Sequence, residues 1–186
     1  SQPFGGEGLS GTGPKAGGPH YLTRFTRAPA PEAHPDDAAT PTAEVARALA
    51  APVPVSEARA ENMPGPTGES NRLTMTPRAP LLCLGPGRAA ALAQAEAVRK
   101  LGGQAVEAPG LAPDALTTLA GFSGALWWGD AEAGRAFAQA LSARKGPILP
   151  LIAMPDAGHT HLERHLCIDT TASGGNAQLL AEVGNA

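Results

Sequence analysis

Cysteine is scarce: the 186 residues hold only Cys83 and Cys167, far apart and in no Cys-x-x-Cys pair. This excludes a disulfide framework and a thiolate zinc site, and the chain reads as reduced and cytoplasmic. Aromatic residues make up 4%, so any core must be assembled mainly from Ala, Leu and Val. Charge of either sign is thin. The net charge is −3, and the 14 Lys and Arg residues split evenly about residue 80 without forming a run. No nucleic-acid partner is therefore expected, and no electrostatic attachment to an anionic membrane. No apolar run approaches the roughly 20 residues of a transmembrane helix, and no stretch reads as a signal peptide.

Glycine and proline are plentiful, and their placement divides the chain. Thirteen of the 19 prolines precede residue 81, and within that part only Pro41 to Ala50, PTAEVARALA, reads as helix, with Thr40 as its cap and Pro41 at the first helical position. The remainder of that part reads as extended or loose. Residues 28–75 form a Pro/Ala-rich linker poor in apolar surface. Beyond residue 80, apolar runs of strand length alternate with helical runs, the pattern of a parallel sheet built from βαβ units. Strands are expected at Leu81 to Leu84, Gln104 to Glu107, Gly124 to Trp128 and Ile148 to Ala153. Helices are expected at about Arg88 to Leu101, Pro113 to Ala120 and Asp130 to Lys145. The first helix carries an apolar stripe of Leu92, Ala95, Val98 and Leu101 and stops at Gly102, while Asp130 caps the third. From His161 a strand with Leu162, Leu166 and Ile168 on one face leads to a break at Ser173 to Gly175 and a short terminal helix from Asn176. The fold class is thus α/β, with a Rossmann-like domain over residues 76–160 and a terminal strand and tail over 161–186.

Two glycine patterns suggest phosphate binding. Gly6, Gly8 and Gly11 spell GxGxxG, but no strand precedes them, and the prolines that follow prevent a helix from starting there, so this match is accidental. Gly85, Gly87 and Ala90 spell GxGxxA between a predicted strand and a predicted helix, with Glu107 at the end of the next strand, as a dinucleotide site requires. Pro86 removes a backbone donor from that loop, and a tight βα turn without ligand is the preferred reading. His159, His161, Glu163 and His165 alternate, so a strand could aim them at one metal. With no second cluster to complete a shell, a solvated or edge strand is preferred and no metal is expected. Trp127 and Trp128 end a strand where a ligand crevice would lie, but core packing or partner contact, which aromatics dominate, is the preferred reading.

Three segments carry a resemblance. QPFGGEGLSGTGPKAGGPHYLTRF (Gln2 to Phe25), MPGPTGESN (Met63 to Asn71) and LERHLCIDTTASGGNAQLL (Leu162 to Leu180) resemble, in order, the late part of the proline utilization A family, bifunctional enzymes of proline catabolism, in its longer members. Residues 1–27 are similar to the end of an aldehyde dehydrogenase region. The resemblance implies the C-terminal part of an enzyme that oxidises proline with FAD, channels glutamate semialdehyde and oxidises it with NAD. Both cofactors would be held mainly by upstream domains of the same polypeptide, which would also supply the catalytic groups. Cys83 and Cys167 match neither the motif nor the position of the family's nucleophile, so no catalytic residue is expected here. The family places Phe4 against the aliphatic part of the semialdehyde. It places Thr170, Thr171, Ala172, Ser173, Gly174, Gly175 and Asn176 in a cover over the tunnel. A homo-oligomer, and peripheral membrane contact through the proline dehydrogenase part, complete these expectations.

Overall fold

A computed structural model describes residues 3–26, 29–51 and 58–169. Its centre is a parallel sheet of β3 (Leu81–Cys83), β4 (Ala105–Glu107), β5 (Gly124–Leu126) and β6 (Leu151–Ile152), in the order β4-β3-β5-β6. Successive residues on a strand face opposite ways, so β3 feeds two cores. Leu81 and Cys83 pack with Leu126, Ile152 and the Ala91, Ala95 and Val98 face of α2 (Gly87–Lys100). Leu82 and Leu84 pack on the other side with Phe137, Ala140 and Leu141 of α3 (Ala131–Ser142), Leu116 of the 3-10 turn Pro113–Thr117, and Val45 and Leu49 of α1 (Thr42–Ala50). The α/β class and the parallel order thus agree with the sequence pattern. Each strand of this sheet is shorter than expected, because a strand ends where its pairing ends rather than where its apolar run does.

The apolar stripe on α2 is corrected. Leu92 and Leu101 are 46% and 36% exposed, and the buried face is Ala91, Gln94, Ala95 and Val98. A strict three-residue spacing falls about 60° short of a turn at each step, so its two ends drift to opposite sides of a 3.6-residue helix. The stop at Gly102 is as expected. Gly102 adopts φ +75°, its amide donates to the Arg99 carbonyl at 2.9 Å, and Gly103 donates to the Val98 carbonyl at 3.0 Å, the paired bonds of a Schellman end. Asp130 caps α3 through the amides of Glu132 and Ala133. Thr40 does not cap α1. Its hydroxyl and amide both donate to the Pro109 carbonyl, and Pro41 takes the cap position.

The larger departure lies in the Pro/Ala-rich stretch. β1 (Arg59–Met63) and β2 (Glu69–Pro77) form an antiparallel hairpin, and β7 (His161–Asp169) pairs along the whole of β2, giving a second sheet in the order β1-β2-β7. Its faces invert the expected polarity. The face of β7 bearing Leu162, Leu166 and Ile168 is the more open one, with Leu166 55% exposed, while Glu163 on the opposite face is buried. Between β6 and β7 lies the one-turn helix α4 (Ala157–Thr160). The glycine-rich segment 3–26 folds back on itself through the Phe4–Ala16 and Glu7–Thr12 bridges and ends in the 3-10 turn Tyr21–Phe25.

Candidate functional site

The turn that follows β3 stands where a doubly wound sheet presents its ligand crevice, at the carboxyl ends of the strands and the start of a helix. Two backbone donors of this turn, the Gly85 and Arg88 amides, are engaged within the chain. Gly85 donates to Oε1 of the fully buried Gln94 at 3.0 Å, and Gln94 Nε2 donates back to the Gly85 carbonyl at 2.8 Å. Pro86 has no N–H to offer. The Arg88 amide, in the first turn of α2, donates to Asp36 Oδ2 at 2.7 Å, and Ala38 donates to the other oxygen of the same carboxylate at 2.8 Å. These backbone bonds hold the Asp36 carboxyl below the usual carboxylate range. Gly87 has φ +73°, and a Cβ there would stand 2.9 Å from both Asp36 Cγ and the His34 carbonyl, so only glycine lets residues 34–38 lie this close. Glu107 is also occupied, pairing with Arg99 at 3.2 Å. Gly85, Gly87, Ala90 and Glu107 therefore adopt the strand-turn-helix placement of a dinucleotide loop, with the chain's own Gln94 and Asp36 where a pyrophosphate would bind. The residues present do not fit NAD.

The four alternating residues near the end are not one constellation. His159 belongs to α4, where it completes a capping box with Asp156. His161 opens β7 with its ring against Thr160 Oγ1 at 2.9 Å; burial first, then the nearby Arg59, His20 and Arg78, lowers its pKa. Glu163 and His165 follow it on the same face of β7, Glu163 being the buried one. No group of three or more His, Cys, Asp or Glu among the described residues could hold a metal ion. Cys83 is buried in the sheet, and burial, with Glu107 adding to it, pushes its thiol up to about 12, so it carries no thiolate at neutral pH.

Phe4 is 84% exposed, and Leu9, Leu22 and Phe25 of the same glycine-rich segment are 79%, 76% and 70% exposed. This density of bare apolar side chains contrasts with the covered core beside it. Trp127 packs on Phe137 at 5.0 Å between ring centroids and donates to the Asp130 carbonyl at 2.9 Å, while the Trp128 indole donates to the Ala153 carbonyl. Both indoles thus brace strand ends. The residues expected to cover a tunnel, Thr170 to Asn176, lie outside the described residues. No described helix is long and apolar enough to cross a membrane. Sequence reasoning missed Asp36 and Gln94. The signal for Asp36 was its Pro-Asp-Asp setting, a turn-forming group that can cap a neighbour's helix as readily as its own.

With this geometry in place, comparison with known proteins decides the relationship. No protein-family model matches the chain. Against the bifunctional protein PutA of Escherichia coli (strain K12), identity is 33% over 233 residues, covering 96% of this chain and 18% of that protein. The chain matches a segment of PutA. The Salmonella typhimurium PutA is 32% identical over 96% of the chain, and the Rhizobium meliloti PutA 34% identical over 97%. This chain spans 18% of the length of each of these three relatives. Because the E. coli alignment is longer than the chain itself, PutA carries inserted residues within the matched span.

Proposed function

We propose that this chain is the C-terminal portion of a bifunctional enzyme that oxidises L-proline to L-glutamate. An FAD-dependent proline dehydrogenase and an NAD-dependent glutamate-semialdehyde dehydrogenase, both upstream, would perform the chemistry, with the intermediate channelled between them. This segment contributes Phe4 to the semialdehyde pocket and an α/β domain whose tail, Thr170 to Asn176, seals the tunnel. The observation that carries the reading is the match to PutA at 30–34% identity across nearly the whole chain. Two features support it. The exposed Phe4, Leu9, Leu22 and Phe25 suit a segment that finishes packing only against upstream chain. The Gly85 to Ala90 turn, filled from within, suits an accessory domain that leaves both cofactors to others.

Phe4 would act by orientation. A flat apolar wall aligns a flexible aliphatic chain so that its aldehyde meets the nucleophile, and it takes part in no bond-making step. A tunnel cover excludes water and prevents loss of the intermediate. Such an enzyme is expected in the cytoplasm, with any membrane contact made through its proline dehydrogenase part. The test is deletion of Thr170 to Ala186 from the full polypeptide. Proline-dependent NADH formation should slow while FAD-dependent dye reduction stays intact; equal loss of both activities contradicts a cover. A second reading, an assembly surface, is favoured by β7 being a sheet edge with Leu166 bare. Light scattering on polypeptides with and without residues 58–186 separates the two.

A further inference from the structure

Glu163 has no exposed side-chain surface, yet its carboxylate is poorly satisfied. Oε2 accepts one hydrogen bond, from the Lys15 amide at 3.2 Å, and Oε1 accepts none. A buried carboxylate normally accepts several bonds or gives up its charge. What faces its two oxygens is a pair of imidazoles. His20 Nε2 stands 4.0 Å from Oε1, and His165 Nε2, itself buried without a hydrogen bond, stands 3.5 Å from Oε2. Both separations exceed a formed N–H···O bond and lie within the closure that a proton on either ring would drive.

The three side chains come from two separate pieces of chain. Glu163 and His165 stand on β7, whereas His20 and the Lys15 amide belong to the glycine-rich segment folded across that strand. Gly18 roofs the pair, since a Cβ there would lie 3.5 Å from Glu163 Oε2 and 3.6 Å from His165 Nε2. We infer that His20, Glu163 and His165 form a proton-operated latch that fastens the glycine-rich segment to β7. With a proton on one imidazole the carboxylate is paired and the segment is held; when the proton leaves, a buried charge is left uncompensated and the contact loosens. This inference does not depend on the relationship to PutA.

One further charge reaches Glu163: the Glu7 carboxyl, whose pKa is raised by burial and, against the pull of Arg78, by the Glu163 carboxylate. Within the glycine-rich segment, Glu7 pairs with Arg78 of the β2–β3 connection at 3.0 Å, and the Lys15 backbone rather than its ammonium meets the carboxylate. Arg59 and Glu61 of β1 share this face, opposite Met75 and Leu73. On β7 itself, His161 and Cys167 alternate with the latch residues, and Glu69 of β2 is bonded to Asn71 at 2.5 Å. No arginine or lysine side chain makes an ion pair with Glu163 among the described contacts.

The experiment is amide hydrogen exchange and histidine-ring NMR on this chain between pH 5.5 and 8.5, each exchange rate divided by the intrinsic rate at that pH. The Lys15 amide should lose about tenfold in protection across the range where imidazoles titrate, roughly pH 5 to 8, and the His20 and His165 ring signals should change with it. In Glu163→Gln the protection should become independent of pH. Constant protection in the native chain, or an unchanged pH profile in Glu163→Gln, overturns the latch. If Glu163→Gln does not fold, the double variant His20→Gln/His165→Gln decides: its profile should be flat, and a full profile overturns the latch.

Discussion

Gln94→Ala tests how the turn after β3 holds together. Gln94 is fully buried and makes two hydrogen bonds to Gly85, itself buried, at 3.0 and 2.8 Å. The Gly85 carbonyl keeps a second partner, the Trp128 amide at 2.9 Å, so truncation orphans only the Gly85 N–H. An unsatisfied buried donor costs about 1–3 kcal/mol, and the lost bond to the carbonyl about 1 kcal/mol more. The unfilled volume adds on the order of 1 kcal/mol. The expected loss is therefore about 3–5 kcal/mol, or a fall in Tm of roughly 6–20 °C for a chain of this length, read from urea and thermal unfolding followed by tryptophan fluorescence. Gln94→Glu sharpens the test. Its carboxylate can still accept from the Gly85 amide but repels the Gly85 carbonyl, so burial raises the introduced acid's pKa. Stability should then be lowest at neutral pH and recover as pH falls through that raised value and the acid becomes a donor. A Gln94→Ala chain within about 1 kcal/mol of the native one, or a Gln94→Glu chain that gains nothing on acidification, refutes the reasoning.

Other outcomes follow from the same geometry. With its thiol pushed up to about 12 inside the sheet, Cys83 should resist a disulfide reagent at pH 8 until the chain unfolds, while the half-buried Cys167 reacts first; two equally fast thiols contradict the assigned burial. Asp36→Ala should release residues 34–38 from α2, read as faster proteolysis there with the core intact. Because the folded pKa of Asp36 is lowered, its contribution is present above the unfolded carboxylate range and lost as pH falls below about 4, so acid should mimic the substitution. Leu116→Ala should cost about 2–5 kcal/mol by opening a cavity between α3 and the sheet.

The alternation of short apolar runs with helical runs was enough to read the parallel sheet, because strands buried on both faces carry their signal locally in Leu81 to Leu84 and Gly124 to Leu126. The Asp130 cap and the Gly102 stop were equally local. What escaped was non-local or inverted. The β1–β2 hairpin is mostly polar, Arg59–Met63 against Glu69–Pro77, and its pairing with β7 is fixed by residues about 90 positions away. The polarity of β7 misled because its apolar face is the open one and its Glu163 the covered one. At the candidate dinucleotide loop the glycine spacing was visible, but the groups that fill it, Gln94 from within the helix and Asp36 from the linker, are set by tertiary contact alone.

The most direct test of the account is Phe4→Ala in the full polypeptide, with semialdehyde oxidation and proline-dependent dye reduction measured side by side. Removing a ring worth about 1.5–3 kcal/mol of apolar contact should lower kcat/KM for the semialdehyde by roughly ten- to a hundredfold and leave dye reduction unchanged. An unaltered kcat/KM would contradict the assignment of this segment to the wall of the aldehyde pocket.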